Sequence, residues 1–94
     1  MSDIIKVDFN DISGSFFIKN EGKKIAEMTF SFQGKEKISI DHTIVKPAFE
    51  GKGIGNKLVE KAVAFAREKK LTIIPNCTFA KQVLEKNKNY DDVL

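Results

Sequence analysis

Cysteine occurs once in the 94 residues, and so does histidine. A single cysteine excludes an internal disulfide and fits a reducing compartment, so the cytoplasm is the expected location. Without a second cysteine or histidine, a structural zinc site has no ligand set. No apolar run approaches membrane-spanning length, and Met1-Ser2-Asp3-Ile4-Ile5-Lys6 lacks the hydrophobic centre of a secretion signal. Repeats, linkers and low-complexity segments are also missing, so residues 1–94 are expected to form one domain, near the lower end of self-sufficient sizes. Charge of one sign is scarce: the net charge is +3, and Asp and Glu interrupt the basic residues. Nucleic-acid binding is therefore not indicated, nor is a membrane partner. What is present is enough to fold. The hydrophobic fraction is 41%, with eight phenylalanines to fill a core, and the 31% of charged residues supply a solvated surface.

One stretch organises the rest, running from Val45 through Glu50-Gly51-Lys52-Gly53-Ile54-Gly55-Asn56-Lys57 to Val59. An alternating apolar pattern precedes it and predicts a strand. Helical spacing follows, with Ile54, Leu58, Ala62, Phe65 and Ala66 on one face. A strand, a glycine-rich turn and a helix N-terminus together form an anion site, because unpaired N–H groups point out of the first turn and the helix dipole favours negative charge there. Glycine lets that backbone approach a phosphate with no Cβ in the way. Lys52 and Lys57 add positive charge at the same end. The Walker pattern does not fit, since Gly55 is followed by Asn56. A dinucleotide fingerprint opens a longer βαβ unit than this chain can supply. A diphosphate carried by another ligand fits better, although a tight turn alone would also account for the glycines.

The remaining elements follow from period and punctuation. Ile4 to Phe9, Ser15 to Lys19, Ile25 to Phe32 and Lys37 to Val45 read as strands, separated by turn formers at Asn10–Gly14, Asn20–Lys23 and Gln33–Glu36. The third strand puts Ala26, Met28, Phe30 and Phe32 on one face. The fourth puts Ile38, Ile40, His42 and Ile44 together. A central helix is predicted from about Ile54 to Lys69. Leu71 to Ile74 then reads as a buried strand, parallel to a neighbour through a right-handed crossover and stopped by Pro75. Asn76, Cys77 and Thr78 offer cap residues for a second helix with Phe79, Val83 and Leu84 inward, and the tail docks by Tyr90, Val93 and Leu94. The fold class is α+β: four mostly antiparallel strands, a central helix, one parallel strand and a short C-terminal helix in a mixed sheet.

Two residues could carry chemistry. Cys77 opens the second helix, where the dipole lowers a thiol pKa, but a buried cysteine acting as a small hydrophobe is equally consistent with the sequence. His42 is either a core-facing imidazole bonded to backbone or a side chain re-aimed by a β-bulge near Thr43. Asp41, Glu50 and Glu85 are too scattered to form a catalytic pair.

The strand followed by Glu50-Gly51-Lys52-Gly53-Ile54-Gly55 resembles the acetyl-CoA pyrophosphate loop of the GCN5-related N-acetyltransferases, whose motif reads Gln/Arg-x-x-Gly-x-Gly/Ala. The chain is similar to the small single-domain branch of that superfamily, with His42-Thr43-Ile44-Val45 before the loop and Pro75-Asn76-Cys77 after the fifth strand, over nearly its whole length. The resemblance implies a truncated form of that fold and an acyltransferase that moves an acetyl group from acetyl-CoA to an amine. It implies that Gly51, Lys52, Gly53, Ile54 and Gly55 supply backbone N–H groups to the CoA pyrophosphate, and that Lys57 and Asn76 are further cofactor-binding residues. Val45 would bond the pantetheine arm through its main chain, where the fourth and fifth strands splay. Cys77 becomes the candidate base or acyl carrier, and His42 a second candidate. The sequence departs from the family pattern at Glu50, which replaces Gln or Arg, and at Asn87-Lys88-Asn89-Tyr90, which replaces His-Pro-Glu-Tyr. The acceptor is not specified, and a CoA-binding module with little turnover is the alternative. A monomer or weak dimer is expected.

Overall fold

Alternating side chains build the sheet, and one helix with a broad apolar face closes it. The structure, a computed structural model, describes residues 4–94. Met1, Ser2 and Asp3, the start of the segment that lacks the pattern of a secretion signal, lie outside the described residues. The strands are β1 (Ile5–Phe9), β2 (Ser13–Asn20), β3 (Lys23–Gln33), β4 (Lys37–Val45) and β5 (Thr72–Pro75), and the helices are α1 (Ile54–Lys69) and α2 (Thr78–Lys86). Short 3₁₀ turns cover Pro47–Phe49 and Lys88–Val93. The sheet order is β1-β2-β3-β4-β5, antiparallel except for the β4–β5 pair. The β2–β3 hairpin turns on Glu21 and Gly22, both at positive φ, the geometry that matches the twist of the flanking strands.

One face of this sheet carries the core. Phe16, Met28, Phe30, Ile38 and Ile40 are buried against Leu58, Val59, Ala62, Val63 and Ala66 of α1. The predicted stripe of α1 is buried in full, and its predicted ends coincide with the observed ones. Phe16 and Phe30 stack at 4.8 Å, and Phe65 meets both at 5.4 Å, edge-on to Phe16 and tilted to Phe30. Arg67 holds the C-terminal turn onto α1 through two 2.9 Å contacts to the Asp92 carboxylate. Among the described residues, no helix is long and apolar enough to cross a membrane.

Crowding at Gly14 is tight. A Cβ there would collide with Phe9 Cβ, lie 2.6 Å from Asp8 O and lie 2.8 Å from Phe30 Cζ. Backbone and an aromatic core ring cannot both yield, so Gly14→Ala should cost about 1–3 kcal/mol. Thermal unfolding should show this as a loss of roughly 4–8 °C per kcal/mol for a domain of this size; an unchanged melting temperature would show that β1 shifts freely.

Four expectations are corrected. His42 and Ile44 do not share a face with Ile38 and Ile40: His42 is exposed and Ile44 is 65% exposed. The cause is a bulge in β4, where Thr29 pairs with His42 but Phe30 pairs with Ile40, leaving Asp41 as the extra residue. Phe79 is 38% exposed, and Ala80 takes the inward place in α2. Leu94 stays 42% exposed, while Val93 alone is fully seated at the chain end. β5 lies one residue later than the predicted Leu71–Ile74, and Pro75, which ends it, is itself its last residue, paired with Ile40.

Candidate functional site

The glycine loop takes its shape from backbone that other residues tolerate poorly. Gly51 and Gly53 both have φ of +76°, in the left-handed region, and neither has any heavy atom within 4 Å of where a Cβ would sit. Gly53 is the N-cap of α1 and offers no side chain to cap it, and no acidic residue occupies the first turn. The first helical bond runs from Lys57 N–H to Gly53 O at 3.1 Å. The N–H groups of Gly53, Ile54, Gly55 and Asn56 therefore precede the ladder and have no intrahelical acceptor. Arg67 and Lys69 stand in the last turn, so the dipole is complemented at one end and open at the other.

Gly55 has a different task. A Cβ there would lie 2.5 Å from Cζ of Phe79, so the absent side chain makes room for that ring. Phe79 thereby becomes a wall of an open cleft of about 440 Å³, together with Val45, Phe49, Ile54 and the loop from Glu50 to Asn56. Lys52 lies over the Phe49 ring at 5.5 Å from its centroid, which places its charge beside the loop. Glu50 lines the same cleft. The 16-residue helix thus presents uncapped N–H groups to a space walled by Val45, Phe49, Ile54 and Phe79, with Thr43, Glu50 and Asn56 as its polar side chains.

The cleft exists because β4 outruns β5. The parallel ladder ends at Ile40–Pro75, and the N–H groups of Asn76 and Cys77 both turn back onto Ile40 O at 3.0 Å. Beyond that point Asp41 to Val45 continue β4, paired with β3 only, while the chain turns into α2. This is the predicted splay. Alternation resumes after the bulge so that Thr43 and Val45 face the cleft and His42 and Ile44 face away.

Cys77 is the N-cap of α2, half-buried, with Sγ 3.3 Å from Thr43 Oγ1 across the splay. Burial pushes its thiol pKa up, but hydrogen bonds from the Thr43 hydroxyl and from the N–H groups of Ala80, Phe79 and Thr43 outweigh it. The net direction is below the ordinary thiol value, the direction a helix N-terminus gives.

The structure gathers Val45, Gly51, Gly53, Ile54 and Gly55 around one cleft, and Cys77 reaches it through its bond to the lining residue Thr43. It does not bring His42 there. Asn76 is also turned elsewhere, with Nδ2 donating to Ser39 Oγ at 2.6 Å. Ser39 in turn donates to Asp41 Oδ1 at 2.8 Å, and Ser31 donates to Asp41 Oδ2 at 2.9 Å, so these residues brace the bulge from the helix-free face. Lys57 lies on the exposed side of the first turn of α1. Thr43, Phe49, Asn56 and Phe79 were not predicted as site residues. Thr43 could have been found by counting alternation back from Val45, whereas nothing local to the sequence signals Phe79.

Known proteins share this fold. Residues 15–93 match the family model described as GCN5-related N-acetyl-transferase. Among solved structures, a GCN5-like protein from Staphylococcus aureus is 39% identical, over 99% of this chain and 89% of its own, with a TM-score of 0.74. A ribosomal-protein-alanine N-acetyltransferase from Brucella melitensis biovar Abortus 2308 shares the fold at 17% identity and a TM-score of 0.68, covering 82% of this chain and 62% of its own. A GNAT family acetyltransferase from Elizabethkingia anophelis, solved with acetyl-CoA bound, does so at 18% identity and a TM-score of 0.64, covering 79% of this chain and 51% of its own. Among curated proteins, none matches. With a family model spanning most of the chain and a 39% identical relative of nearly equal extent, this protein belongs to the GCN5-related N-acetyltransferase family.

Proposed function

We propose that the cleft binds acetyl-CoA and that the protein transfers the acetyl group to an amine. One observation carries the reading: the uncapped N-terminus of α1, with two positive-φ glycines before it, opens into the gap where β4 runs on without β5. Unpaired N–H groups and a helix dipole suit a pyrophosphate. The apolar walls of Val45, Phe49, Ile54 and Phe79 suit an uncharged pantetheine chain. The bound thioester supplies an activated acyl group with a good thiolate leaving group. Main-chain groups of the unpaired stretch of β4 near Val45 orient the carbonyl and polarise it. The amine nitrogen then forms a bond to the acetyl carbon as the carbon–sulfur bond breaks, and the ammonium proton passes to a base, for which Cys77 as thiolate is the group at the cleft. In a two-step variant Cys77 takes the acetyl group first and passes it to the amine. His42 is exposed on the other face of β4 and does not line the cleft.

Release of free CoA in the presence of acetyl-CoA and a panel of amines and peptides tests the proposal. Acceptor-dependent release supports it. Tight CoA binding with no release for any acceptor would favour the second reading, a CoA-binding module, for which the open cleft and small size are the support.

Glu50 offers a separate test. Glu50 lines the cleft at the position where the family motif carries Gln or Arg, and a negative charge opposes phosphates at a helix N-terminus. Glu50→Gln should tighten CoA binding by about 0.3–1 kcal/mol, and calorimetry should show the gain shrinking in high salt. Weaker binding by the glutamine variant would mean that the carboxylate holds a lysine in place.

A further inference from the structure

The two edges of the sheet differ. β5 is four residues long and ends in proline, which cannot extend a ladder. β1 is five residues long, with no proline and no bulge, and no described strand covers its outer side. Asn10 N–H donates to Ser13 O at 2.9 Å, and the alternation of an antiparallel ladder then turns the N–H and C=O groups of Ile5, Val7 and Phe9 outward. Such an edge is a template for another strand.

The sequence of β1 specifies which strand. Ile5, Val7 and Phe9 lie on the helix-bearing face, opposite Ile18, Phe16 and Gly14, and Phe9 remains 44% exposed. Lys6 and Asp8 lie exposed on the other face. If a second copy pairs antiparallel about Val7, Lys6 meets Asp8 twice, Ile5 meets Phe9 twice, and Val7 meets Val7. Sliding the register by two residues sets Lys6 against Lys6 or Asp8 against Asp8. Sliding it by one puts the apolar side chains of one copy on the polar face of the other. Only the centred register satisfies both faces. We infer that β1 pairs with β1 of a second copy about a two-fold axis at Val7, making one continuous ten-stranded sheet, with Lys6–Asp8 pairs selecting the register.

Two five-residue strands bury less than a standard interface, so the dimer is weak and concentration-dependent. Sedimentation equilibrium from about 10 µM to 1 mM should show monomer and dimer, with nothing larger. Lys6→Asp and Asp8→Lys, both at exposed positions, should each raise the dissociation constant at least about tenfold, because like charges replace two complementary pairs. An equimolar mixture of the two variants, or the double variant, should return to the wild-type constant. Amide exchange at Ile5, Val7 and Phe9 should slow as concentration rises, while that at Lys6 and Asp8, already bonded to β2, should not. A wild type that stays monomeric at 1 mM overturns the inference. So does association that ignores both charge reversals, or a mixture that fails to recover.

Discussion

Cys77→Ser is expected to bind CoA as the wild type does and to lose acetyl transfer by about 10²–10⁴-fold, the range for removing a positioned base. Serine keeps the shape and can still reach Thr43, so packing should change little, but its hydroxyl is hardly ionised at neutral pH. The thiol pKa is held below its ordinary value, so thiolate is present at lower pH than in a free cysteine and is lost as pH falls through the shifted value. The alkylation rate with iodoacetamide should therefore rise at lower pH than for a free thiol. Thr43→Val should move that rise to higher pH by removing the hydroxyl 3.3 Å from Sγ. CoA should protect the thiol. With acetyl-CoA and no acceptor, a one-acetyl mass increase at Cys77 would establish the two-step variant. If Cys77→Ser transfers acetyl as fast as the wild type, neither the covalent nor the base role survives, and the proton must leave by His42 or water.

CoA at about 100 times its dissociation constant should stabilise the wild type by roughly 2.7 kcal/mol, a rise on the order of 10–20 °C for a domain this small. Gly53→Val should abolish that rise, since its branches project into the cleft. The substitution also carries a conformational cost, because φ at Gly53 is +76°, and the apo variant should lose about 1–2 kcal/mol. Gly34→Val separates the two effects. Gly34 has φ of +74° and open space around it, in the turn between β3 and β4. It should suffer the same apo loss and retain the full CoA shift. If both variants keep the shift, the loop does not hold the phosphates.

Local pattern carried the elements whose partners are also local. The stripe from Ile54 to Ala66 predicted α1 to the residue, because burying an apolar face against a sheet outweighs any single propensity, and Lys70 at φ +57° ends it. The alternation of β3 held from Ala26 to Phe32, and Ile25, the extra residue of a bulge against β2, is buried beside Ala26. In β4 alternation failed at Asp41, and the reason lies partly in the neighbouring strand: the hydroxyl of Ser31 in β3 joins that of Ser39 in capturing the carboxylate of the extra residue. That bulge moves His42 out of the core, the second of the two placements its sequence allows, and aims Thr43 at Cys77. Phe79 was assigned inward on helical spacing. The space it occupies is made by Gly55, 24 positions earlier, and no periodicity links the two.

In the proposed function, acetyl-CoA occupies the cleft between β4 and the N-terminus of α1. Titrating the labelled protein with acetyl-CoA and following backbone amide resonances tests this directly. The largest changes should fall on Val45, on Gly51 to Asn56 and on Thr43, with smaller ones at Cys77 and Phe79, and the edge strand β1 should be silent. Changes centred on the helix-free face around Asp41 and Ser31, with the glycine-loop amides unmoved, would contradict it.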